Sequence, residues 1–432
     1  MSDASEPSAE SAPPARNPVG CNDITTVDAP AGTATAMKSS LLLATGAGAL
    51  RGRWQDGVAR FAGVPYAAPP VGDLRFRAPA PVEPWTGERS AEAFGPICPQ
   101  NPSMMDALFG GDSERWDEDC LYLNVWRPAN NDSNLPVIVF LHGGSNVSGY
   151  TADPVYDGAN LARTANAIVV TPNFRLGILG FMNLPQLKTG DASTDSGNFT
   201  MLDSIKALQF VRTNSSSFGG NPDNVTVVGQ SAGAINVWAL QTSPLMTAAN
   251  PKLFHRVMPL SGGISLATNL PAGSLPTLNP ASVYLAQGNA LLQNLVIGDG
   301  LATDTASANA YIASRTNAQI AEYMRGKSAS QLFTTLLTRL ALLGLAGSGP
   351  IPDGAVVASD PIGAINAGNY VKVPVLAGNT RDEGKLFPSF LPLVGGAGNA
   401  RLVTDAQLFT NHFSYKPDAA AQTTVEQWIA PN

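Results

Sequence analysis

The stretch FGGNPDNVTVVGQSAGAINVW, residues 218–238, runs from a short apolar segment into a helical pattern through Gly229, Gln230, Ser231, Ala232 and Gly233. VTVVG reads as a strand and AINVWALQ as a helix, so Ser231 stands in a tight strand-to-helix turn. Glycines on either side let the chain bend sharply there, because a Cβ at those positions would obstruct the turn. The bend lifts the serine hydroxyl to the carboxyl edge of a sheet. It also aims the free N–H groups of the next helix, that of Ala232 first, at the same point. A serine held in this way is a candidate nucleophile, and it needs a histidine to take its proton. The chain has three, His142, His255 and His412.

Upstream, FLHGGSNVSG (140–149) follows the apolar run PVIVF and places Gly143 and Gly144 just past a strand end. Successive glycines allow N–H groups to converge on one developing negative charge, the requirement of an oxyanion hole. In that role His142 holds the loop and is not a proton shuttle. His255, in KLFHRVMPLSGG, precedes a strand and reads as a packing histidine.

Further apolar runs bounded by turn residues are LYLNVW (121–126), PVIVFL (136–141), AIVVT (167–171), RVMPL (256–260) and VPVLAG (373–378). Helical patterns such as MLDSIKALQFVRT (201–213) lie between them. Continuous strands interleaved with helices predict an α/β fold, a mostly parallel central sheet covered on both faces. Residues 265–350 lack obvious strands and read as a cap-like helical excursion within one domain, 39–432. Its Leu-rich segment 330–347 suits either a pocket lining or a buried core helix. Residues 1–38, rich in Ser, Ala, Pro and Thr with no aromatic residue, read as a flexible leader.

Composition excludes several classes. Charged residues make up 14% of the 432, against a usual share of about 25%. Net charge is −7 and no Lys/Arg-rich run occurs, which argues against nucleic acid as a partner. No apolar run approaches the roughly 20 residues of a membrane span. MKSSLLLATGAGA (37–49) has the outline of a clipped signal peptide, but the residues after it read as a first strand. The three cysteines Cys21, Cys98 and Cys120 and the scattered histidines show no metal-site spacing.

Several long stretches together resemble the type-B carboxylesterase family of α/β-hydrolases, which includes the cholinesterases. EDCLYLNVWRP (118–128) and FGGNPDNVTVVGQSAG (218–233) follow its signature patterns, and FAGVPYAAPPVGDLRF (61–76) is similar to its N-terminal motif. TPNFRLGILGF (171–181) and GNTRDEGKLF (378–387) are shorter echoes. The resemblance implies an α/β-hydrolase fold and hydrolysis of a small-molecule carboxylic ester, without metal or cofactor. It makes Ser231 the nucleophile, Gly143, Gly144 and Ala232 the oxyanion hole, and Glu383 the acid, with Asp382 the alternative beside it. It pairs Cys98 with Cys120, which points to a secreted or periplasmic location. Without a clear signal peptide, a cytoplasmic one stays open.

The pattern breaks at the base. His412 follows Glu383 in the right chain order, but DAQLFTNHF reads as an amphipathic helix and not as a loop after a strand. The family's histidine lies much farther past the acid, in a G-x-x-H loop. The expectation is a chain incomplete at its C-terminus, lacking that histidine, one or more strands and a closing helix. Gln230 stands where cholinesterases carry a glutamate, and Trp116 does not align with their choline-binding tryptophan. Short to medium acyl or aryl esters are therefore the expected substrates. Two other readings stay open: an esterase-fold binding or adhesion module without catalysis, and a lipase, amidase or lactonase of the same fold.

Overall fold

A computed structural model describes residues 40–100, 115–270, 276–381 and 383, together with Thr25 and Thr26. Its centre is a ten-stranded sheet. The strands are β1 (Thr25–Thr26), β2 (Ser40–Ala44), β3 (Ala49–Gln55), β4 (Val58–Pro65), β5 (Glu88–Ser90), β6 (Tyr122–Pro128), β7 (Leu135–Leu141), β8 (Ile168–Pro172), β9 (Gly220–Gln230) and β10 (Arg256–Leu260). Their spatial order is β1-β2-β3-β4-β6-β8-β7-β9-β10, with β5 beside β3.

Only half of this sheet is parallel. β8, β7, β9 and β10 run together, whereas every pair from β1 to β6 along the path, and the β6–β8 pair, is antiparallel. The mostly parallel sheet expected from the sequence is thus a mixed one. The reason is physical: an apolar run such as Leu123–Trp126 reports burial on both faces, not strand direction. β6 is buried along almost its whole length and still runs antiparallel to both neighbours. The leader also differs at one place, because Thr25 and Thr26 pair with Leu42 and Leu41 of β2. The rest of 1–38 lies outside the described residues.

Helices cover the two faces unequally. Helix α1 (Ala159–Ala165) packs its Ala162 over Val58, Trp126 and Val169. Helices α2 (Phe199–Asn214) and α3 (Ala232–Thr242) lie on the other face, over the main core that contains Val125, Val170, Val137, Val139, Val225 and Val227. Consecutive residues of one strand, Val125 and Trp126, thus serve different cores, as the two-residue period of a strand requires. The predicted helical excursion contains α4 (Ala281–Gly298), α5 (Thr305–Ala313), α6 (Asn317–Arg325) and α7 (Ala329–Thr335), followed by a π-helical turn, Leu336–Leu340. In its Leu-rich segment Leu332, Phe333, Leu336 and Leu340 are buried in the main core, which favours the core-helix reading over a pocket lining.

The parallel half matters most, because its register brings several carboxyl ends to one level. Leu141 of β7 pairs with Gly229 of β9, which pairs with Pro259 of β10. The run 373–378 continues the series beside β10 through bridges from Val375 to Val257 and from Gly378 to Leu260. Four chain segments therefore leave the sheet at the same edge: 142–149, 231 onward, 261 onward and 379–381.

On the antiparallel side, Cys98 and Cys120 form a disulfide across 22 residues, both sulfurs buried in the main core. Closing a loop of that length restricts the unfolded chain by about 3 kcal/mol. Replacing both cysteines by serine is expected to lower the free energy of unfolding by that order, read as an earlier urea midpoint than that of the oxidised protein.

Candidate active site

Ser231 sits between β9 and α3 with φ 56° and ψ −122°, a conformation that L-residues rarely adopt. Strain of this kind persists only where neighbours fix it. Here the Ser231 N–H donates to the carbonyl oxygen of Leu260 at 2.9 Å, and its own carbonyl accepts from the N–H groups of Ala234 and Ile235. The turn also needs bare backbone on the helix side. A Cβ on Gly233 would lie 2.1 Å from the Leu141 carbonyl oxygen, so the first turn of α3 can rest against the end of β7 only with glycine there.

Gly143 meets the serine from the other side. A Cβ placed on it would be 3.1 Å from the Ser231 Cβ and 2.9 Å from the Gln230 carbonyl oxygen. The carbonyls of this loop are turned into the loop itself: Gly143 O faces His142 Nδ1 at 2.8 Å, and Gly144 O accepts from Val147 N, Ser148 N and Ser148 Oγ. The N–H groups of Gly144 and Ala232 have no hydrogen-bond partner among the described residues, whereas that of Gly143 is turned toward the Tyr156 phenol oxygen. The loop and the start of α3 thus bring spare donors to the neighbourhood of one hydroxyl, and spare donors beside a nucleophile suit an oxyanion.

His142 is not placed to relay protons. Its ring is 2% exposed, stacks on Phe174 at 4.3 Å, and directs Nδ1 at the Gly143 carbonyl, so Nδ1 carries the proton. Burial pulls its pKa from 6.5 down to about 4. His255 lies at the amino end of β10, a strand's length from the edge that carries Ser231, where its N–H donates to Val225 O and its Nδ1 accepts from Val225 N. Burial lowers its pKa too. His412 and Asp382 lie outside the described residues.

Glu383 is at the edge reached by the run 373–378. Its Oε2 accepts from the Thr380 N–H at 3.0 Å, from the Thr380 hydroxyl, and from Ser261 Oγ at 3.1 Å. The Thr380 hydroxyl and N–H, and then Ser261, hold the carboxyl below the usual range. Ser261 carries no mark in the sequence beyond the strand RVMPL running straight into a serine and two glycines. It follows β10 at φ 55° and donates its N–H to the Gly378 carbonyl. Since Leu260 receives the Ser231 N–H, consecutive residues of this chain end touch the serine turn and Glu383.

An open groove of about 740 Å³ between residues 72–77, 186–189 and α6 includes none of these groups.

The model of the carboxylesterase family matches residues 39–429. The chain is 38% identical to a para-nitrobenzyl esterase of Bacillus subtilis (strain 168) over 348 residues, 80% of this chain and 63% of that protein. It is 35% identical to a fumonisin B1 esterase of Sphingopyxis macrogoltabida over 350 residues, 81% of this chain and 57% of that one. Among solved structures, a Geobacillus stearothermophilus carboxylesterase superimposes with a TM-score of 0.69 at 31% identity, covering 90% of this chain and 73% of the other. The matched region therefore spans 57–63% of the length of the two named relatives.

The depressed pKa of His142 makes a prediction about acid stability. The fold prefers the neutral ring, so this contribution is complete above pH 6.5 and is lost as pH falls toward about 4. The gap corresponds to about 3 kcal/mol. Urea midpoints measured across that window should fall steeply for the wild type, and less steeply for His142→Gln.

Proposed function

The chain belongs to the carboxylesterase family, and from that premise we propose that it hydrolyses carboxylic esters through an acyl-enzyme on Ser231. The observation that carries this reading is the strained serine turn packed against Gly143, with the N–H groups of Gly144 and Ala232 left spare among the described residues. In the first half-reaction a histidine base takes the proton of Ser231 Oγ as it attacks the ester carbonyl and later passes it to the leaving alcohol, while the N–H groups of Gly143, Gly144 and Ala232 receive the charge of the tetrahedral intermediate. The alcohol leaves with a proton, water attacks the acyl-enzyme, and the acid is released. Glu383, kept ionised by Thr380 and Ser261, orients a histidine and stabilises its cation.

His142 and His255 are both committed elsewhere, so the base in this reading is neither of them. His412 is the remaining histidine among the 432 residues. The substrates proposed are short to medium acyl or aryl esters. Gln230 brings no charge to the serine, so a quaternary ammonium group would lack an anionic partner there. The disulfide suits an oxidising compartment.

The test begins with a fluorophosphonate, which labels activated serines. Labelling of Ser231 and its loss in Ser231→Ala are expected. An unlabelled, folded wild type would instead favour a binding module of the same fold. Glu383→Gln should lower hydrolysis of p-nitrophenyl butyrate roughly 10²- to 10⁴-fold. His412→Ala decides the base: a comparable loss assigns the role to His412, and an unchanged rate removes it from the site.

A further inference from the structure

Asn146 lies just past Gly144 in the loop after β7, and Asn236 lies in the second turn of α3. Their side-chain amides bond in both directions: Asn236 Nδ2 donates to Asn146 Oδ1 at 2.8 Å, and Asn146 Nδ2 donates to Asn236 Oδ1 at 3.2 Å. Asn146 is 2% exposed and Asn236 0%. A substrate therefore cannot reach either, and any effect on the reaction passes through the backbone.

Local structure explains part of this and not the rest. Asn146 has φ 55°, a region where asparagine is tolerated better than most residues. That accounts for its backbone, but not for an amide turned inward against α3. Asn236 is a poor helix former placed between apolar residues in AINVWAL. A buried amide is costly unless paired, and here each offsets the cost of the other. The carbonyl of Asn146 is tied down as well, accepting from Gly177 N at 2.7 Å and from Ser348 Oγ at 2.8 Å. The loop that carries Gly143 and Gly144 is thereby fastened directly to the helix that begins at Ala232.

We propose that the Asn146–Asn236 pair is a positioning device for the oxyanion hole. It fixes the spacing between the N–H groups of Gly143 and Gly144 on one side and that of Ala232 on the other. This inference rests on the acyl-enzyme reading above. Such spacing matters in the transition state and hardly at all for ground-state binding, because the donors are aimed at the charge that develops.

The experiment is a double-mutant cycle on the full chain with Asn146→Gly, Asn236→Leu and both together. Steady-state kinetics on p-nitrophenyl butyrate are measured beside the dissociation constant of a phenylboronic acid, whose adduct with serine mimics the tetrahedral oxyanion. Each single variant is expected to lower kcat by about 10- to 100-fold with KM within about twofold. Boronate binding should weaken by a similar factor, and the double variant should be no worse than the weaker single one. Folded variants with wild-type kcat, losses that multiply in the double variant, or unchanged boronate affinity would each overturn the proposal. If those variants do not fold, Asn236→Ser decides, since it breaks the amide pair while keeping a small polar side chain on the helix. A severalfold fall in kcat at constant KM supports the device, and a wild-type kcat rejects it. Ser231→Ala, run in parallel, separates the two levels. If it hydrolyses like wild type, the acyl-enzyme reading itself fails; if it is dead while the asparagine variants are normal, only the positioning role fails.

Discussion

A backbone contact with no room for a methyl group underlies the arrangement. Gly233 presses against the carbonyl of Leu141, and Gly143 against the Ser231 Cβ and the Gln230 carbonyl. These contacts hold the end of β7 and the start of α3 closer than ordinary residues could come. Because β7 and β9 are adjacent parallel strands in register, the contact falls at the carboxyl edge, where both chains leave the sheet. The strain at Ser231 is a consequence. The serine must reverse direction within one residue, since the helix after it is already committed to the surface of β7.

The parts of this arrangement that could be read in the sequence are those whose physics demands particular residue types at fixed spacing. The turn around Ser231 admits little beyond small residues on either side, so Gly229 and Gly233 announced it. The strands were visible as apolar runs, yet their directions were not, because a run such as that in β6 records burial and nothing else. Thr25 and Thr26 joined the sheet from a segment whose composition read as a leader. A two-residue pairing is made by backbone groups and leaves no trace in side-chain pattern.

Ser261, Asn146 and Asn236 were illegible for a different reason. A lone serine after a strand, or an asparagine in a loop or helix, is common, and its meaning depends on what the fold brings opposite. Asn146 and Asn236 are ninety positions apart, and only the β7–β9 register makes them neighbours. Ser261 matters because it follows Leu260, the residue that receives the serine's N–H. Such partnerships belong to topology more than to local sequence.

Burial sorts the charged groups of the site into two kinds. His142 is enclosed between Phe174 and the loop it supports, and the same enclosure that makes it a good brace makes protonation costly. Glu383 is exposed enough to remain hydrated, and donors from Thr380 and Ser261 hold it ionised. In the proposed acyl-enzyme reaction, a base for Ser231 has to accept a proton and then carry a positive charge beside an anion. The environment of Glu383 favours that charge, and the environment of His142 opposes it. The loop histidine and Glu383 are therefore not two parts of one relay. In the proposed reaction one would keep the N–H donors in place, and the other would define where the cation has to form.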